Sequence, residues 1–134
     1  MNRLRGRISA IESSGELSRT DIECGDTVLT AYLMGGVEES FREKVGSEVW
    51  VLFKESEVAL AKDFSGQISL RNRFEGRIES IERGDLLAQV TIGYGNDTIV
   101  SIISRRACDA MKLQVGESVT ALVKANEITL MECS

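Results

Sequence analysis

The sequence predicts an all-β chain: two small five-stranded barrels in tandem, each carrying one short helical turn. Three observations lead there, namely an internal repeat, runs in which apolar and polar residues alternate, and glycine-rich turn signals between those runs.

The repeat sets the organisation. Asn2-Arg3-Leu4-Arg5-Gly6-Arg7-Ile8-Ser9-Ala10-Ile11-Glu12 returns as Asn72-Arg73-Phe74-Glu75-Gly76-Arg77-Ile78-Glu79-Ser80-Ile81-Glu82, 70 positions on. Val45-Gly46-Ser47-Glu48-Val49 matches Val115-Gly116-Glu117-Ser118-Val119, and Lys54, Glu57 and Leu60 match Lys124, Glu127 and Leu130 at the same displacement. The middle slips by one residue, with Thr27-Val28-Leu29-Thr30 on Thr98-Ile99-Val100-Ser101. The units are therefore residues 1–64 and 65–134.

Strands are expected near residues 4–13, 16–24, 26–34, 48–54 and 56–61, then in the same order again. The second unit shows the alternation best. Leu86, Ala88, Val90, Ile92 and Tyr94 interleave with Leu87, Gln89, Thr91 and Gly93, the period of two of a half-buried strand. Gly84-Asp85 and Gly95-Asn96-Asp97 read as the turns at its ends. Residues 105–113, followed by Gly116, suit a short helix, and residues 36–44 with Gly46 are the counterpart. Val49-Trp50-Val51-Leu52-Phe53 is apolar at every position, so both faces of that strand call for cover, by another domain or by a loop of the same unit. Gly6 and Gly76 read as bulge or close-approach positions. Five strands and a helical turn fit a Greek-key, OB-like barrel. A unit of this size has a small core and is expected to dock on other copies.

Composition excludes several functions. With 43% hydrophobic and 28% charged residues the chain has the make-up of a folded protein, not a disordered one. No apolar run is long enough to span a membrane and the start lacks a signal-peptide core, so a cytoplasmic location and no membrane partner are expected. Cys24, Cys108 and Cys133 are odd in number and widely spaced, which suits free thiols better than disulfides or a zinc site. Histidine is absent, and no nucleophile and base can be paired, so no enzyme is expected. A net charge of −5 and few aromatics speak against a nucleic-acid groove. An anion bound by so acidic a chain must be held by a local site.

Ile68-Ser69-Leu70-Arg71-Asn72-Arg73-Phe74-Glu75-Gly76-Arg77-Ile78, followed by Ile81-Glu82-Arg83-Gly84, closely resembles the opening of the Mop, or molbindin, domains, also called TOBE domains. The usual pattern there is S-A-R-N-x-x-x-G-x-[IV], then I-E-R-G. The likeness runs on through Asp97-Thr98-Ile99-Val100-Ser101-Ile102-Ile103-Ser104 and closes on Val119-Thr120-Ala121-Leu122-Val123-Lys124-Ala125-Asn126, similar to V-x-A-x-[IV]-K-A-[ST]. It spans the second unit fully and the first more weakly.

The resemblance implies molybdate or tungstate as ligand, held where two domains of an oligomer meet, with a homotrimer of tandem domains as the assembly. One domain offers the S-x-R-N segment and its neighbour the strand-end Thr/Ser and the K-A-[ST] segment. Position by position, Ser69, Arg71 and Asn72 form one side and Ser104, Lys124, Ala125 and Asn126 the other, with Lys54 and Ser56 the first unit's counterparts. These residue types suit the chemistry on their own account. A tetrahedral dianion presents only acceptors, so it needs hydroxyl, amide and cationic donors on every side. Asn72 can equally be a turn residue bonding its own backbone.

The chain departs from the pattern in three places. Leu70 replaces the small alanine, the first unit has no counterparts of Ser69 and Arg71, and Glu55 stands where the second unit has Ala125. The expected function is storage or homeostasis of the oxyanion. The alternative is the ligand-sensing portion of a molybdate-responsive transcription regulator, although no helix-turn-helix pattern precedes the repeat.

Overall fold

The computed structural model describes residues 1–34 and 45–133. The helical turn expected over residues 36–44 lies outside the described residues. The order is β1 (Asn2–Ser14), β2 (Leu17–Cys24), β3 (Thr27–Met34), β4 (Glu48–Phe53), β5 (Ala59–Ala61), β6 (Asn72–Arg83), β7 (Leu87–Tyr94), β8 (Asp97–Ser104), α1 (Arg105–Ala110), β9 (Ser118–Val123) and β10 (Thr129–Glu132). The all-β class, the five-strand repeat and the second unit's helix stand as the sequence predicts. The expected strand over residues 56–61 is shorter, because Glu55–Glu57 closes a 3-10 turn before β5, as Ala125–Glu127 does before β10. No helix among the described residues is long and apolar enough to cross a membrane.

The β2–β3 and β7–β8 hairpins turn at Gly25 and Gly95, with φ of 62° and 59°. Short hairpin turns of this hand need left-handed backbone, which glycine adopts without steric cost. Between the turns the alternation does its work: Ala88, Val90 and Ile92 of β7 face the core, whereas Leu86, outside the strand, is exposed.

Each sheet curls around one long strand. β1 pairs β4 over Asn2–Arg7 and then β2 from Arg7 onward, with a bulge between Ile8 and Ala10; β6 does the same with β9 and β7, with its bulge between Ile78 and Ser80. A bulge adds twist and bends the strand, which closes a small sheet on itself.

The fifth strand differs from expectation. The orders are β10-β4-β1-β2-β3 and β5-β9-β6-β7-β8, so each unit completes its partner's sheet. Thr129–Glu132 pairs antiparallel with Leu52–Val49, and Ala59–Ala61 with Leu122–Thr120. The two sheets then share one apolar cluster, in which Phe53 of the first unit stacks on Phe74 of the second at 5.7 Å and Phe74 meets Tyr94 edge-on at 5.1 Å. A core too small for one barrel is enlarged by merging two.

Trp50 of β4 is half-buried. Its ring lies under the Arg3 guanidinium at 4.3 Å and near that of Arg5 at 5.4 Å, so arginine stems and charges cover it.

All three cysteines are free thiols. Burial, reinforced by the charge of Asp97, pushes the Cys24 thiol up to about 12, while Cys133 is half-buried. Only a thiolate attacks an alkylating reagent. Maleimide treatment of native protein near neutral pH is therefore expected to label Cys133 and spare Cys24, with Cys24 labelled after denaturation; peptide mass mapping reads the result.

Candidate functional site

The segment ahead of β6 and the 3-10 turn ahead of β10 meet beside the first sheet. Ser69, Arg71 and Asn72 line one wall of a cleft of about 640 Å³, and Lys124, Ala125 and Asn126 line another. They lie far apart in sequence and are brought together because β6 pairs β9, placing Asn72 opposite Val123. Both segments belong to the second unit. The structure thus joins within one chain two segments that the resemblance assigns to neighbouring domains.

The remaining wall comes from the first unit. Arg19 and Asp21 of β2 lie opposite Tyr32 and Thr30 of β3, and all four line the cleft. Their strand neighbours Thr20, Ile22, Leu29 and Ala31 point into the core, so alternation alone sends Arg19, Asp21, Thr30 and Tyr32 to the other face. Thr30 donates its hydroxyl to Asp21 at 3.0 Å. The carboxylate of Asp21 sits 3.6 Å from the Arg19 Nε, and Glu12 reaches the other end of the guanidinium at 3.1 Å. None of these four is part of the motif pattern. The signal that could have found them is the outward face of a hairpin carrying Arg, Asp, Thr and Tyr on alternate rungs.

Asn72 does more than line the cleft. It is buried, its Nδ2 donates to the Thr30 carbonyl at 2.9 Å, and its Oδ1 accepts from the Thr30 amide at 2.8 Å. The side-chain amide therefore mimics a peptide group and clips the start of β6 to β3 of the other unit. Asn2 repeats this on Val100 of β8, at 2.8 Å in both directions. The turn reading of Asn72 is replaced by a cross-unit clip. One Nδ2 hydrogen remains for another acceptor.

Ser104, Lys54 and Ser56 are not brought to the cleft. Ser104 caps α1, accepting from the Ala107 amide at 2.9 Å, and lines a separate hollow with Asp85, Arg105 and Arg106. A serine at a strand end that leads into a helix is first of all an N-cap. Lys54 and Ser56 are exposed at the first unit's 3-10 turn. Beside them Glu55 accepts a hydrogen bond from the amino group of Met1, which holds its carboxyl below the usual range. That place in the first unit carries a negative charge where the second unit has Ala125.

Among the described residues, the cleft gathers Arg19, Arg71 and Lys124 with one carboxylate, Asp21, in a chain of net charge −5. Cations, hydroxyls and amides around a common space suit an acceptor-rich anion. Among the described residues there is no group of three or more Cys, Asp or Glu placed to hold a metal cation.

Fold and cleft together define a small-barrel module built from two interlocked copies, with a cleft suited to an anion where they meet. The TOBE domain model matches residues 1–60 and again 68–130, and the chain belongs to this family as a tandem pair. Among its relatives, the molybdenum transport protein ModE of Herbaspirillum seropedicae is 31% identical over 127 residues, covering 92% of this chain and 47% of that protein. The molybdenum-pterin-binding protein MopB of Rhodobacter capsulatus is 36% identical over 106 residues, 76% of this chain and 38% of that one. The chain thus spans about half or less of the length of these relatives. A crystal structure of the cytoplasmic molybdate-binding protein ModG, with molybdate bound, superposes with a TM-score of 0.93 at 29% identity, covering 98% of this chain and 96% of that one.

Proposed function

We propose that this chain binds molybdate, or the closely similar tungstate, in the cytoplasm, and that it stores or buffers the ion without catalysing a reaction. The observation that carries this reading is the convergence of Ser69, Arg71, Asn72, Lys124, Ala125 and Asn126 on one cleft. Arg71 and Lys124 neutralise the dianion, and the hydroxyl and amide groups set its geometry. Charge-assisted hydrogen bonds contribute about 1.5–3 kcal/mol each, so a handful of them supports micromolar or tighter binding. Relatives named for molybdate or molybdenum binding support the choice of ion.

The assembly we propose is a homotrimer of the tandem unit, in which Ser104, Lys54 and Ser56 take part in further sites between chains. Val28, Tyr32 and Met34, exposed on the edge strand β3, and the exposed Leu86 and Leu87 support such docking. A second reading, the ligand-sensing portion of a longer transcription regulator, is favoured by one observation: the chain spans only 47% of a longer relative, the molybdenum transport protein ModE.

Calorimetric titration with molybdate, tungstate and sulfate tests the site. Native protein is expected to prefer molybdate and tungstate to sulfate, and Arg71→Ala and Lys124→Ala each to weaken molybdate binding about 10-fold or more. Equal affinity for sulfate and molybdate, or native affinity in both variants, overturns the reading. Native mass spectrometry tests the trimer, which a strict monomer would exclude.

A further inference from the structure

Arg19 enters the cleft from the first unit, outside the sequence motif. Its Nε is buried and has no hydrogen-bond acceptor among the described residues, since Asp21 is 3.6 Å away. The contact with Glu12 involves the far end of the guanidinium and a carboxylate that is 69% exposed. An exposed pair of this kind is screened by water and holds its partners weakly. Asp21 is tied to Thr30 and lines the cleft itself. Among the described residues, the charged side chains around the space are thus Arg19, Arg71 and Lys124 against Asp21, a lining that is two charges positive.

We propose that Arg19, positioned by Asp21, sets the cleft's preference for a doubly charged anion over a singly charged one. This rests on the cleft being the oxyanion site. Two net positive charges match a dianion, whereas a monoanion of the same shape leaves one cation uncompensated in a partly dehydrated space. Without Arg19 the lining carries a single net positive charge, and the advantage of the dianion falls. The second unit has Gln89 at the position equivalent to Arg19 and Thr91 at that of Asp21, so its own hairpin lacks the device.

Molybdate and perrhenate separate charge from shape, because both are tetrahedral oxyanions of similar size and they differ by one charge. Titrations of native protein, Arg19→Gln, Arg19→Lys and Arg71→Ala with both ions form the test. Loss of one charge-assisted contact predicts that Arg19→Gln weakens molybdate about 10-fold or more. Perrhenate is expected to weaken far less, so the ratio of the two affinities narrows, and Arg19→Lys, which keeps the charge, restores most of it. Native molybdate affinity in Arg19→Gln, an equal loss for both ions, or a loss in Arg19→Lys as large as in Arg19→Gln overturns the proposal. Native molybdate affinity in Arg71→Ala would instead count against the site itself, so the two failures are distinguishable.

Discussion

Replacement of Gly76 by alanine is expected to destabilise the protein by about 3 kcal/mol, near the upper end of what overpacking a tight site costs. Gly76 lies where β6 hands over from β9 to β7, and at this handover the strands come very close. A β-carbon there would run into the Gly93 carbonyl oxygen and sit 2.6 Å from the Ile92 Cγ2. One obstacle is backbone and the other is a buried branched side chain, so neither can move aside at small cost. In an open strand alanine would be favoured over glycine by roughly 0.5–1 kcal/mol, through the entropy of the unfolded chain. Here the clash wins. For a chain of this length the loss corresponds to roughly 10 °C in the midpoint of thermal unfolding. Gly15→Asn is the control, because Gly15 has a φ of 63° with nothing within 4 Å of its added β-carbon, and asparagine tolerates that backbone. Calorimetry should show a change of less than about 1 kcal/mol there. A small effect at Gly76 would mean that the strand crossing is looser than described.

These glycines show how far the sequence can be read. The recurrence of Gly6 as Gly76, 70 positions on, marks a close approach, and the alternation of Ala88, Val90 and Ile92 fixes which face of β7 is buried. The exchange of β5 and β10 has no such signature. Val58 to Ala61 would pair equally well with β4 or with β9, because a strand's own alternation says which face it buries and nothing about whose edge it joins. The cleft was legible in part for a similar reason. Ser69, Arg71 and Lys124 belong to a motif, whereas Arg19 and Tyr32 are ordinary outward residues of a hairpin until the second unit is folded against them. Ser104 fits the motif's strand-end serine, while its place in the fold follows from the helix that it caps, which begins one residue later.

Asn72→Leu is expected to cost about 2–4 kcal/mol, and to weaken anion binding as well. Leucine fills much the same volume but offers nothing to the Thr30 N–H and C=O, which are then left unpaired at the junction of the units. A stranded buried donor or acceptor costs about 1–3 kcal/mol, and here one of each is at stake. Asn2→Leu removes the equivalent clip, on Val100, so a comparable loss is expected there. The two variants part company at the ligand. Thr30, Ser69 and Arg71 line the same cleft, so freeing β6 from β3 lets the Ser69 and Arg71 donors drift relative to the first-unit wall. The Asn2 clip lies outside that lining. Titration with molybdate should therefore find affinity reduced about 10-fold in Asn72→Leu, the equivalent of roughly one lost charged contact, and little changed in Asn2→Leu at a temperature where both remain folded. Equal affinity losses in the two variants would mean that the clips act only through global stability. A loss confined to Asn72→Leu would establish that Asn72 serves the site beyond global stability, through the clip that holds β6 to β3 together with the Nδ2 hydrogen that it leaves for the anion.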